Sequence, residues 1–81
     1  MINIIMSKIS ISPERRLEWL SSYIKELRFN MGLTQQDLAE ESNLPRSTIQ
    51  RAERANNINV LTLFKIADSL QVNPSELIDV G

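Results

Sequence analysis

The chain contains no cysteine and no histidine. Without thiolates or imidazoles it has no route to disulfides or to Cys- or His-ligated metal sites. Nor does it have a Cys or His group to activate a serine, so an enzyme is not expected. No pair of carboxylates stands at a spacing suited to acid–base catalysis, and no cofactor is implied. Glycine occurs only as Gly32 and Gly81, too sparsely for a loop that cradles phosphates through backbone N–H groups. No apolar run approaches the length of a membrane span. The opening Met-Ile-Asn-Ile-Ile-Met has neither a basic leader nor an evident cleavage site, which makes the cytoplasm the expected compartment.

With 81 residues the chain has the size of one small domain. A single core is then only marginally stabilising, and homodimerisation is a common way to gain buried area. The net charge of −1 is not that of a typical nucleic-acid binder. Its distribution is uneven, however. Between Asn43 and Asn57 stand Arg46, Arg51 and Arg54 against Glu53, whereas acids outnumber bases both from Ile24 to Glu41 and from Ile58 onward.

Residues 1–11 are apolar and β-branched with partial alternation, which suits a short strand, an arm on a partner subunit or a disordered start. Ser12-Pro13-Glu14 then opens a helix: a capping hydroxyl, proline at the first helical position, and an acid near the positive end of the dipole. Leu17, Leu20, Ile24, Leu27 and Met31 recur at helical steps and predict one buried stripe, with Trp19 and Tyr23 beside it. Gly32 is placed to end that helix in the left-handed conformation. Thr34 can cap a second helix that turns Leu38 and Ala39 inward. Pro45 marks the start of a third, expected over Arg46 to Arg54 with Ile49 and Ala52 inward. Asn43 tolerates a left-handed turn between them, and Leu44 can plug the corner. Asn59 is expected to cap a fourth helix, Val60 to Leu70, that buries Leu63, Ile66, Ala67 and Leu70. Asn73-Pro-Ser-Glu76 reads as a capping box for a short fifth helix ending near Asp79.

Two helices joined by a tight turn form the helix-turn-helix unit, whose second helix can lie in the major groove of DNA. Gly-Leu-Thr-Gln at 32–35, Asp-Leu-Ala at 37–39, Ser-Thr-Ile at 47–49 and Glu53 resemble the Cro and lambda-repressor-like helix-turn-helix domains of the XRE family. Ile24-Lys-Glu-Leu-Arg28 and Leu63-Phe-Lys-Ile-Ala-Asp-Ser-Leu70 extend the likeness in the family's order, over roughly Ile24 to Leu77. It implies an all-α, compact bundle of about five helices, here with an N-terminally extended first helix, over residues 12–81.

The resemblance also implies roles. Arg46, Ser47, Gln50 and Arg51 fall on the outward face of the recognition helix, and their types suit base edges. Arginine can grip guanine and glutamine can grip adenine through paired hydrogen bonds. Thr34 and Gln35, at a helix N-terminus, together with Arg54, Asn56 and Asn57, are expected on the DNA backbone. Arg28 is expected to bridge to Glu53 and, at its rim, to touch a phosphate. Leu77, Ile78 and Val80 are expected at a two-fold contact. The chain departs from the family in having Pro45 where a Ser or Thr cap is common, Ala52 for a larger aliphatic, Ala55 for a glycine, and a loop one residue shorter after it.

The function so implied is a homodimeric, sequence-specific regulator acting on double-stranded DNA at an operator, like phage repressors or restriction–modification controllers. The alternative is an antitoxin that binds a toxin protein and its own operator. The N-terminal extension with Trp19 and Tyr23 would then be the toxin contact. Neither reading involves a membrane.

Overall fold

A computed structural model of the chain describes residues 12–78. Five α-helices make up these residues: α1 (Pro13–Asn30), α2 (Gln35–Ser42), α3 (Arg46–Ala52), α4 (Val60–Ser69) and α5 (Pro74–Ile78). The expected arm over residues 1–11 lies outside the described residues.

Each start is set by local chemistry. The Ser12 hydroxyl accepts from Arg15 N–H at 3.1 Å, with proline in the first turn. At α2 the Thr34 hydroxyl accepts from Asp37 N–H at 3.0 Å, and the Asp37 carboxylate accepts from Thr34 N–H at 2.9 Å. This reciprocal box supplies partners for two backbone groups that would otherwise be orphaned. The Asn59 side chain accepts from Thr62 N–H at 2.8 Å to start α4. Helix α3 begins at Arg46 as expected, with Pro45 before it in extended backbone and without a side-chain cap, and ends at Ala52 instead of Arg54. One start differs from the sequence reading. At α5, Asn73 Oδ1 accepts from the backbone N–H and the hydroxyl of Ser75, an Asx turn in place of the box expected with Glu76.

The ends of α1, α2, α3 and α4 share one device, a left-handed residue just past the helix: Gly32 (φ 71°), Asn43 (φ 56°), Ala55 (φ 61°) and Gln71 (φ 59°). In each case the next amide reaches back to a carbonyl of the last turn: Leu33 to Arg28, Leu44 to Ala39, Asn56 to Arg51 and Val72 to Ala67. Glycine, whose missing Cβ makes this conformation cheap, serves at only one of the four.

The core contains Ile24, Leu38, Ile49, Leu63, Ile66, Leu70 and Leu77, with Ala39, Ala52 and Ala67 where helices approach closely. Leu20, Tyr23, Leu27, Leu33, Leu44, Ile58 and Val72 close its edges. Helix α2 packs on α3 and α4, and α5 packs on both α4 and α1. Of the expected stripe on α1, Ile24 is buried and Leu20 and Leu27 pack on the core, whereas Leu17 is not part of the core and Met31, after the last helical residue, is exposed. The residues of α1 that are fully buried are Ser21, Ile24 and Arg28, two of them polar.

Of the residues expected at a two-fold contact, Leu77 has no exposed surface within its own chain. Val80 and the side chain of Ile78 lie outside the described residues. Exposed apolar side chains lie on α4, at Val60 (64%), Leu61 (63%) and Phe64 (47%), and along α1 and its end, at Trp19, Phe29 and Met31.

Candidate nucleic-acid interface

The short helix α3 is held by its two inward residues, Ile49 and Ala52, both buried in the core. That orientation fixes what faces solvent. Arg46, Ser47 and Arg51 are exposed, and Gln50 is half-buried beside them. Helix α2 crosses behind, joined to α3 only by Asn43, Leu44 and Pro45, which is the geometry of a helix-turn-helix. Buried Ser42 helps close that corner by donating its hydroxyl to the Leu38 carbonyl.

Glu53, directly after α3, is the anchor of the site. Arg28 donates to it through two nitrogens, Nε to Oε2 at 2.6 Å and an Nη to Oε1 at 3.0 Å. The other Nη donates to the Leu33 carbonyl at 2.8 Å. Gln35 Nε2 donates to Glu53 Oε1 at 3.1 Å. The Arg28 and Glu53 side chains are only 6% and 3% exposed, so this is a buried, geometrically paired bridge. The Arg28 guanidinium also lies 4.5 Å from the centre of the Phe29 ring. Three of its five N–H donors are engaged in these bonds and its side chain is covered, so Arg28 has little surface left to offer a phosphate. It ties α1, the α1–α2 turn, α2 and the end of α3 into one unit.

This pairing also changes the charge of the face. Glu53 is the one acid between Asn43 and Asn57, and Arg28 neutralises it from behind. Arg46, Arg51 and Arg54 are left with no acid of their own segment opposing them.

Arg51 and Asn57 line a cleft between α3 and the start of α4, together with Thr48, Asn59 and Thr62. Thr48 did not emerge from the sequence reading. It stands one turn before Arg51, and that spacing was its available signal. Asn56 and Asn57 are exposed on the turn after α3. At α2 the Thr34 N–H and hydroxyl are both engaged in the capping box, which leaves the first-turn N–H groups of Gln35 and Gln36 at that helix end. In the same box the Asp37 carboxyl titrates below its ordinary 3.8, held down by the Thr34 backbone N–H and then by the Thr34 hydroxyl.

A helix-turn-helix family model matches residues 24–77, two thirds of the chain, and the chain belongs to that family. Among solved structures it is similar to the restriction–modification controller protein C.AhdI from Aeromonas hydrophila. The two are 35% identical, with a TM-score of 0.72, over 75% of this chain and 94% of that one. It is likewise similar to the wild-type controller protein C.Esp1396I, at 35% identity and a TM-score of 0.70, over 79% of this chain and 84% of that one. A C.Esp1396I tetramer in complex with its natural 35-base-pair operator matches at 35% identity and a TM-score of 0.71, over 79% of this chain and 86% of that one. No curated protein sequence matches the chain. Among the described residues no acidic cluster could hold a metal ion, and no helix is long and apolar enough to cross a membrane.

Proposed function

We propose that the protein is a homodimeric, operator-binding transcriptional regulator of the restriction–modification controller type. The observation that carries this reading is the state of α3. Its solvent face presents Arg46, Ser47 and Arg51, while its far end is locked through Glu53 to α1 and α2. A recognition helix works only if its readers arrive in a fixed orientation, and a buried bridge supplies that orientation without using the readers themselves.

In this reading Arg46, Ser47 and Arg51 meet base edges, with Gln50 and Thr48 at their flanks. Arg54, Asn56 and Asn57 grip phosphates on one side of the groove. The Gln35 backbone N–H, with the second N–H of its side-chain amide, takes a phosphate on the other side. The similar controller proteins supply the class, and one of them is named as bound to its operator. The dimer contact falls on α4, where Val60, Leu61 and Phe64 form an apolar face on two successive turns. Two recognition helices related by that two-fold axis would read half-sites roughly 34 Å apart.

The test is selection of bound duplexes from a random-sequence pool at two salt concentrations. An inverted repeat with half-sites one helical turn apart, bound less tightly as salt rises, is the expected result. Sequence-blind retention would remove the regulator and leave the exposed Trp19 face of α1 as the place to seek a protein partner.

A further inference from the structure

At three helix ends the left-handed residue donates its own amide back into the helix it terminates. Gly32 donates to the Phe29 carbonyl at 2.9 Å, Asn43 to Glu40 at 3.2 Å and Gln71 to Asp68 at 3.1 Å. At the end of the recognition helix the amide turns elsewhere. The Ala55 N–H donates to the Ser21 hydroxyl oxygen at 3.0 Å, across 34 positions of sequence. The residue so held is one of three non-glycine residues in the left-handed region among the described residues, and it has no polar side chain to stabilise that conformation locally. Ser21 is 2% exposed and lies before residue 24, where the family match begins.

Ser21 and Arg28 stand two turns apart on α1 with Ile24 between them, and all three are buried. The stripe therefore clamps the chain leaving α3 at two points: Arg28 holds Glu53 and Ser21 holds Ala55. Between and just beyond these points lie Arg54, Asn56 and Asn57. A third tie runs within the turn, where the Arg51 carbonyl accepts from both Arg54 and Asn56 amides at 3.1 and 3.2 Å. Take away the Ser21 hydroxyl, and the Ala55 amide is left without that acceptor while its backbone must still hold a left-handed shape.

We infer that Ser21 is a positioning residue for DNA binding: the N-terminal extension of α1 braces the turn that presents the phosphate-contacting groups. This rests on the operator-binding reading. It gives the extension a role within that reading and needs no second partner for it.

The experiment compares wild type, Ser21→Ala and Asn57→Ala on the selected operator, at a temperature where circular dichroism shows each to be folded. Ser21→Ala should weaken binding about two- to tenfold, the effect of one well-placed hydrogen bond. The slope of log affinity against log salt should become shallower by about one as Arg54, the cation of this turn, loses its phosphate. Preference among operator base variants should stay as in wild type. A change confined to fold stability would move neither affinity nor slope under these conditions. Ser21→Ala binding with wild-type affinity and slope, while Asn57→Ala binds more weakly, overturns the brace and leaves the operator reading standing. If Asn57→Ala also binds as wild type, Asn57 does not contact phosphate, and the inference falls with that part of the reading. Should Ser21→Ala fail to fold, amide hydrogen exchange in the wild type decides. Protection of Ala55 N–H comparable to the helical amides of α1 is expected, and exchange at the unprotected rate overturns the proposal.

Discussion

The residues of this site divide by what they do, and substitutions should separate them. Arg51 is exposed on α3, and if it grips a base edge as proposed, Arg51→Ala should cost about 1–3 kcal/mol on the selected operator and relax preference at one base pair. Asn57→Ala should weaken all sequences alike, because a phosphate carries no sequence; competition binding against shuffled duplexes distinguishes the two. Arg28→Ala belongs to another class. It leaves the Glu53 carboxylate buried beside Gln35 without its cation, and breaking one side of such a pair costs about 3–5 kcal/mol of stability. A melting temperature equal to wild type would sink the structural role of the bridge. Ala55→Gly should act in the opposite direction. The left-handed backbone at φ 61° is unfavourable for a residue with a Cβ, and relieving it is worth about 0.5–1 kcal/mol after glycine's greater unfolded-state entropy, read as a higher melting point. The bridge was legible in the sequence only through the family resemblance, and Ala55 stood out as a departure from the family's glycine. Ser21 was legible only as a position: it stands three residues before Ile24 and so on the buried face, but its role depends on an amide 34 positions away.

Helix starts were the most legible elements because their chemistry is contained in four or five consecutive residues. Ser12, Thr34 and Asn59 each accept the third amide of the helix that follows, as their side chains dictate. The ends were less legible. Asn43 and Gly32 announce a left-handed turn, whereas Ala55 and Gln71 adopt it without a residue type that favours it, Ala55 with its amide held by Ser21 of α1. The box at α2 also ties the fold to pH. The Asp37 carboxyl titrates below its ordinary 3.8 in the folded chain because the Thr34 N–H and hydroxyl favour the charged form. A group with a depressed folded pKa contributes stability that is fully present above its unfolded value and is lost as pH falls through the folded one. Thermal melts from neutral pH down through the carboxylate range should therefore show a loss in wild type below about pH 4. Asp37→Asn, with no carboxylate at that helix end, should lose less over the same range. Parallel profiles for the two proteins would show that the box does not govern acid stability.

At the scale of the whole molecule, the order and packing of the helices followed from the pattern of apolar residues and the resemblance together, but the direction in which the outer surfaces face did not. Leu77 reads as surplus apolar surface on a short helix, yet α5 turns it into the crevice between α1 and α4. Periodicity assigns residues to faces of one helix and is silent on which face a neighbour will cover. Part of the surplus sits on α4, where Val60, Leu61 and Phe64 remain exposed in a chain whose single core is small. If a second copy covers that face, folding and association are linked. The melting temperature should then rise with protein concentration, and sedimentation should report a dimer. In a two-fold contact each substitution enters twice, so Leu61→Glu places two charges against each other in an apolar seam. It should yield a folded monomer, with helix content unchanged because Leu61 makes no part of the core. Such a monomer retains its α3 face but engages one half-site at a time, so operator affinity should fall by about 10²–10⁴ while binding to an isolated half-site stays close to wild type. A Leu61→Glu protein that remains dimeric would move the two-fold axis off α4, and a wild type that is monomeric at all concentrations would remove the dimer from the mechanism.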